Sequence, residues 1–325
     1  MKILLTGATG FLGNNLLRAL LRDGHEVSVL VRHSSDPRPT DGLDVEKVFA
    51  NLDDPATLGL VANEADLVIH SAAMIQIGWS KLEASLRVNV ESTRVLAEVA
   101  RRKQIRMIHV STVDTLAPGT IDRPATEEDR EPRKPACSYV VSKTQAEEAF
   151  LEEVDKGLDG VIVNPGFMIG PFDWKPSSGE MMMAVAKQSP PFAPAGGCSA
   201  ADVRDVAEGI VSAIQHARTG ERYILGGENV TYFDLWTRMA KVVGSRSPKM
   251  KLPNWLAGVA GKFGDVAAKF GKEPQVNSAA TTMGQMFHFY SSDKAKSELG
   301  YQIGSIDIAL EDAWNWFQEY GYLSR

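Results

Sequence analysis

The 325-residue chain is 44% apolar and 23% charged, an ordinary globular composition with length for one large unit or two smaller ones. Its net charge of −6 gives nucleic acid no long-range attraction, and its two cysteines and six scattered histidines form neither a metal-ligand motif nor a disulfide framework. The expectations are therefore no nucleic-acid partner, no metal and a reducing cytoplasmic setting, since the apolar run of "MKILLTG" is also shorter than a signal-peptide core.

Short apolar runs then alternate with amphipathic stretches. "KILLTG" predicts a strand and residues 11–22 a helix; "EVSVLVR" and "VEKVFANL" predict two further strands, and 55–63 a helix. "ADLVIHSAA" is a fourth strand, followed by one long helical stretch over 81–103, and "RMIHVST" is a fifth. Residues 117–137, rich in Pro and charge, read as a loop; 138–155 as a helix; "LDGVIVNPG" as a sixth strand. Strands apolar on both faces and alternating with helices predict an α/β fold, a Rossmann-type doubly wound parallel sheet. After residue 165 the rhythm loosens. Helices are expected over 203–217, 233–243, 291–299 and 306–320, with a strand at "RYILGG". Residues 1–165 are read as the dinucleotide-binding domain, and 166–325 as mainly a smaller substrate-binding region, partly interleaved with it.

Two segments stand apart. In "LPNWLAGVAGKFGDVAAKFGK" (252–272), Lys262, Asp265, Lys269 and Lys272 interrupt the apolar run and exclude an ordinary membrane span. An amphipathic helix packed on the body of the protein is expected, with a membrane-surface or partner face as the alternative. "TGATGFLG" (6–13) sits between the first strand and the first helix. Gly7 permits the tight turn, Gly10 lets backbone approach a pyrophosphate, and Gly13 lets the helix pack close to the sheet. The helix start at Phe11 and Leu12 favours the phosphates. The second strand ends "VLVRH" with no acid to bind a ribose diol. Arg32, with His33 or Arg38 nearby, can instead meet a 2′-phosphate, so NADP is expected over NAD.

"SYVVSK" puts Tyr139 and Lys143 one helical turn apart. Taken alone the pair decides nothing, because about 0.4 such pairs arise by chance in a chain of this composition. Together, however, the segments resemble the extended short-chain dehydrogenase/reductase superfamily over nearly the whole chain. "TGATGFLG" is similar to its nucleotide loop, "VIHSAA" (68–73) to the segment beneath the cofactor, and "NVESTRVL" to the start of a central helix. "HVSTVDTLAPG" is similar to the strand end bearing the catalytic hydroxyl, and "VNPGFMIGP" (163–171) to the segment beside the nicotinamide. "IVNPGFMIGPFDWKP", "GERYILGGEN" and "AWNWFQEYGYL" resemble the dihydroflavonol 4-reductase-like branch, which includes the hopanoid-associated sugar epimerase group.

The resemblance implies Tyr139 as acid/base and Lys143 as the cation that lowers its pKa and bonds the nicotinamide ribose. It implies Thr112 as the second hydroxyl, with Ser111 one residue away as the alternative, and Asn89 as organiser of the central helix or of a relay water. Cofactor contacts would come from Gly7, Thr9, Gly10, Phe11, Leu12, Gly13, Arg32, Asn51, Leu52, Ser71, Ala72, Ala73, Tyr139, Lys143, Pro165, Gly166 and Met168. Asn51 stands where the family usually has an Asp beside the adenine, and its amide can still bond the adenine amino group; Asp202 stands where many relatives have His, which puts substrate contacts in doubt more than the chemistry. Met74, Ile75, Gln76 and Trp79 could line the pocket, and 181–185 and 277–289 its lid, although simple packing is the commoner role for each. As a group they suggest a small substrate less polar than a nucleotide sugar. An NADP(H)-dependent carbonyl reductase or alcohol dehydrogenase is the leading reading. A sugar or nucleotide-sugar epimerase with tightly held cofactor is second, and a non-catalytic cofactor-binding scaffold third. Dehydration ranks last, since Val113-Asp114 replaces the expected Asp-Glu. By the same resemblance, helices near 81–103 and 138–155 would pair in a homodimer.

Overall fold

The first half runs β1 (Lys2–Thr6), α1 (Phe11–Arg22), β2 (Glu26–Val31), β3 (Glu46–Phe49), α2 (Pro55–Ala62), β4 (Leu67–His70), α3 (Leu82–Leu86), a π-helical turn (Arg87–Glu91), α4 (Ser92–Lys103), β5 (Arg106–Val110), α5 (Ser138–Asp155) and β6 (Gly160–Pro165). The second half adds β7 (Phe167–Ile169), α6 (Ser178–Gln188), β8 (Phe192–Ala193), β9 (Gly197–Asp202), α7 (Val203–His216), β10 (Arg222–Leu225), β11 (Glu228–Thr231) and α8 (Tyr232–Val243). It ends with β12 (Met250–Lys251), α9 (Asn254–Ala268), α10 (Ser278–Gln285), β13 (Phe287–His288), α11 (Asp293–Leu299) and α12 (Ile306–Glu319). The computed structural model describes residues 1–322; Leu323, which closes the motif "AWNWFQEYGYL", lies outside them. No helix among the described residues is long and apolar enough to cross a membrane.

The main sheet is parallel, in the order β10-β6-β5-β4-β1-β2-β3. The chain leaves β1 toward β2 and β3, then returns to the other side through β4. That reversal makes the crevice at the carboxyl ends of β1 and β4 the natural ligand site of such a sheet. Strands β4 and β6 are buried throughout, as expected where helices cover both faces. On one face Leu16, Leu17 and Leu20 of α1 pack with Val206 and Ile210 of α7. On the other, Leu58, Leu96 and Phe150 bring α2, α4 and α5 onto the sheet.

Residues after 165 enter this layer directly. β10 extends the sheet beside β6, and α7 covers it next to α1. The remaining second half builds its own core from α6, α8 and α12, around Trp174, Leu235, Trp316 and Phe317. A small sheet of β11, β9, β13 and β7 joins the two cores. Met182 and Val185 of the "MMMAV" stretch lie in this second core, so they are packing residues rather than a lid. Asp202 caps α7 through the Arg204 N–H at 2.8 Å and pairs with the Arg204 side chain, which commits it to the fold.

The stretch 81–103, expected as one helix, is broken by the π turn. Ser92 Oγ donates to Val88 O at 2.5 Å and Thr93 Oγ1 to Asn89 O at 2.7 Å. Side-chain hydroxyls that bond the preceding turn loosen the regular ladder there.

Candidate active site

The segments singled out in the sequence follow the carboxyl ends of adjacent strands. Gly7 has φ of 81°, and a Cβ there would sit 2.7 Å from Ala72 N. Only glycine serves where a left-handed backbone meets another chain segment so closely. A Cβ on Gly13 would lie 2.0 Å from Gly7 O, so α1 touches the turn itself. Gly10 is exposed and would meet only Gly7 O, at 3.2 Å, leaving its outer side open. With Thr9 half-buried beside it, and with neither a side-chain cap nor an acid in its first turn, α1 presents Phe11, Leu12 and Gly13 amides to an anion. This cradle fits a dinucleotide pyrophosphate.

Ser71, Ala72 and Ala73 follow β4; the Ala72 N–H donates to Thr6 Oγ1 at 3.1 Å. Pro165 ends β6, and the Gly166 N–H donates to Leu225 O at 3.0 Å, with half-buried Met168 following in β7. Arg32 follows β2, is exposed, and is in no ion pair among the described residues. Its neighbours are engaged: Arg38 pairs with Asp36 at 2.5 Å, and His33 stacks on Phe49 at 4.6 Å. Asn51 is exposed beyond β3, whereas Leu52 packs against the core.

Helix α5 carries Tyr139 and Lys143. The Thr112 side chain reaches the Tyr139 phenol, while Ser111 Oγ is buried without a partner. Lys143 is 2% exposed and its Nζ donates to Val110 O at 2.8 Å, which ties the helix to the end of β5. Asn89 in the π turn accepts from Met74 N at 2.7 Å and donates to Met74 O at 3.0 Å and Ser142 Oγ at 2.9 Å. Its amide thus holds the β4 loop to α5. The Tyr139 N–H donates to Gln76 O at 3.1 Å, so the 74–80 loop also seats the start of α5.

The electrostatics differ from the expectation that Lys143 lowers the phenol. Burial first, then the charge of Asp114, raises the Tyr139 pKa, and the Thr112 hydrogen bond offsets only part of this. Burial lowers Lys143 to about 8 against the pull of Glu147. Two neutral histidines lie beneath. His70 is held to about 3 by burial and by Lys143, and His109, at 5.7 Å from it, is also driven down by burial.

Several site residues carry no short-range sequence signal. Buried Glu147, one turn beyond Lys143, accepts from Thr115 Oγ1 at 2.8 Å and Asn164 Nδ2 at 2.9 Å, and pairs with Arg222 of β10. Lys134, whose side chain is fully buried, donates to Asp114 at 2.9 Å, Val113 O at 2.8 Å and Tyr290 Oη at 2.8 Å. Burial works to raise Asp114, but Lys134 and His288, 3.6 Å away, bring it below its ordinary value. Glu273 accepts from Trp79 N at 2.8 Å, Ser80 Oγ at 2.6 Å and Gln76 Nε2 at 3.1 Å. Ala279 and Met283 of α10 then pack with Cys137, Val140 and the Tyr139 ring. Only a three-dimensional arrangement shows these pairings, because the partners lie on separate elements, from 17 residues apart for Glu147 and Asn164 to 194 for Glu273 and Trp79. Among the described residues no group of three His, Cys, Asp or Glu side chains is gathered as a metal site.

A doubly wound sheet, a glycine cradle at its switch point and a Tyr–Lys pair on α5 define a nicotinamide-dependent enzyme of the extended short-chain dehydrogenase/reductase kind. Residues 3–226 match the model of the NAD dependent epimerase/dehydratase family, and the chain belongs to that family. It is similar to a Synechocystis protein provisionally named a dihydroflavonol 4-reductase, 35% identical over 98% of this chain and 95% of that one. It is also similar to "Sterol demethylase protein B" of Methylococcus capsulatus, 30% identical over 99% and 100% of the two chains. Among solved structures, the crystal structure of gox2253 has a TM-score of 0.86 at 33% identity, covering 99% of each chain.

Proposed function

We propose that the protein reduces a carbonyl, or oxidises a secondary alcohol, of a small and fairly apolar substrate with NADP(H). The observation that carries this reading is the arrangement of the Tyr139 phenol beside the Thr112 hydroxyl, with buried Lys143 one turn further along α5. A phenol that keeps its proton at neutral pH is a proton donor, which suits carbonyl reduction. A nicotinamide nucleotide held by the glycine cradle of residues 7–13 and the strand ends at Ser71 and Pro165 would supply the hydride for the carbonyl carbon. Tyr139 gives its proton to the carbonyl oxygen and Thr112 hydrogen-bonds that oxygen; to Lys143, one turn along α5, we assign the stabilisation of the phenolate left behind, against the burial that disfavours it. Water then returns a proton to Tyr139. Unpaired Arg32 supports NADP over NAD. Apolar Ala279 and Met283 against Tyr139, with Ile75 and Ile77 exposed nearby, support an apolar substrate, as does the similarity to a protein named for sterol demethylation.

Epimerisation is the second reading, supported by the family itself. It requires a nucleotide that stays bound through purification. We also propose a cytoplasmic homodimer through α4 and α5, in keeping with two free, buried cysteines, and a division of labour between residues 1–165 and 166–325.

The test is Tyr139→Phe. It should lower turnover of carbonyl substrates by about 10²- to 10⁴-fold while NADPH binding stays within about twofold. Loss of binding instead would make Tyr139 structural. A parallel titration in which NADH binds more tightly than NADPH would overturn the use of Arg32. Nucleotide that is present at the start and refuses to exchange would put the epimerase reading first.

A further inference from the structure

Helix α9 is built inside out. Its buried positions are Ala257, Gly261 and Gly264. A Cβ on Gly261 would lie 2.4 Å from Thr281 Oγ1, and one on Gly264 would lie 1.8 Å from Val276 O. The small face is therefore pressed onto the segment that begins α10. The large apolar side chains point the other way: Trp255 is 72% exposed, Phe263 73% and Phe270, just past the helix, 88%, with Val259 at 44% and Val266 at 52%. At 100° per residue these five fall within an arc of about 80°, opposite the small residues. Five such side chains expose several hundred Å², roughly the size of the largest apolar patch on a typical monomer, and such patches are usually functional.

Charge identifies what would cover the face. Arg246, Lys249, Lys251, Lys262, Lys269 and Lys272 are all exposed, and none is in an ion pair among the described residues. Asp265, the only acid among residues 246–272, is turned inward to accept from the Ser278 N–H at 3.0 Å. A strongly cationic segment thus flanks an apolar stripe in a chain whose net charge is −6. Apolar side chains on one face with lysines at its margin are what a helix lying in the headgroup plane of an anionic bilayer requires. An acidic protein partner would match the lysines but would need a pocket for each projecting side chain, whereas a bilayer takes all of them along one face without any.

The face also adjoins the reaction site. Trp79, Ser80, Asp265, Ala268, Lys269 and Glu273 line one shallow pocket, so the α9 end of the stripe meets the exposed 75–79 loop. That loop seats the start of α5, and α10, on which α9 rests, packs against Tyr139.

We propose that α9 docks the protein on an anionic lipid surface, so that an amphiphilic substrate reaches Tyr139 from the membrane side. The substrate half of this statement rests on the reductase reading; the docking half does not.

The experiment is co-sedimentation of the full chain with vesicles of phosphatidylcholine alone and of equal parts phosphatidylcholine and phosphatidylglycerol. Partition onto the anionic vesicles should be at least about tenfold stronger and should fall with salt. Trp255→Ser/Phe263→Ser/Phe270→Ser should abolish it, and Lys262→Gln/Lys269→Gln/Lys272→Gln should weaken it severalfold. NADPH titration of both variants should match the wild type, which establishes that they fold. Absence of binding to either vesicle, or equal binding by the serine variant, overturns the proposal. So does a light-scattering mass showing a wild-type oligomer that the serine variant splits, because the face would then be a contact between copies. Docking without turnover of any carbonyl substrate would sink the reductase reading and leave the docking intact.

Discussion

Helices α1 and α9 are both amphipathic, and they face opposite ways. α1 buries Leu12, Leu16, Leu17 and Leu20 against the sheet, the last three with no exposure at all. α9 buries alanine and glycine and leaves Trp255 and Phe263 in solvent. Each large apolar side chain left outside forgoes roughly 1.5–3 kcal/mol of burial. Helical periodicity therefore fixes that a helix has two faces, but not which face the fold uses. In α1 the apolar face holds the molecule together. In α9 close approach by small residues does that, and the apolar face is left for another purpose.

The contrast can be broken in the body of the protein or in the cap. The largest effect is expected at Glu147, whose side chain is 3% exposed and pairs with Arg222 at 12%. Glu147→Leu strands a buried guanidinium and should cost about 3–5 kcal/mol, read as a shift in the denaturation midpoint. Leu16→Ala removes a fully buried side chain from α1 and should cost about 2–5 kcal/mol in the same measurement. A cost below about 1 kcal/mol would mean α1 is no more committed than α9.

A pH profile examines α5 directly. The Tyr139 phenol, raised by burial, keeps its proton across the working range, so it supplies no alkaline limb near neutrality. Lys143, lowered to about 8 by burial, is an ammonium below that pH and neutral above it. The rate of carbonyl reduction should therefore fall as pH rises through about 8, and a flat profile to pH 9.5, about one and a half units higher, would remove Lys143 from the step. The smallest effect is expected at Phe263→Ala, within about 0.5 kcal/mol of wild type, because a surface side chain leaves no cavity. A loss comparable to that of Leu16→Ala would show that the outer face of α9 is covered in the free protein.

Much of this was legible in the sequence. The sheet was, because parallel strands buried on both faces read as short apolar runs, and α1 and α5 begin and end where the pattern does. The glycine cradle was legible too, since Gly7 and Gly13 sit at fixed offsets between a strand and a helix. The break in 81–103 was not. The Ser92 and Thr93 hydroxyls that bond the preceding turn stand in plain view, but the Asn89 amide that holds the same turn to Met74 and Ser142 finds its partners only after β4 and α5 have come together. The Tyr139 pKa was misjudged for a similar reason. Lys143, four residues away, is visible in the sequence, whereas burial and Asp114, 25 positions earlier in the chain, decide the direction. Glu273 and Lys134 gave no local signal, because their partners are assembled from distant segments.

The pairing of β10 with β6 has a consequence for synthesis on the ribosome. β6 ends at Pro165, and the strand that covers its outer edge begins only at Arg222. At roughly 5–20 residues per second, the emerging chain carries that apolar edge unpaired for several seconds. An open edge of this kind is a template for pairing with another nascent chain. Once β10 has docked, Glu127 accepts from the Ile224 N–H at 2.9 Å, placing a side chain of the 117–137 loop on the new edge. Slower translation between these two strands would lengthen that exposure without changing the finished fold.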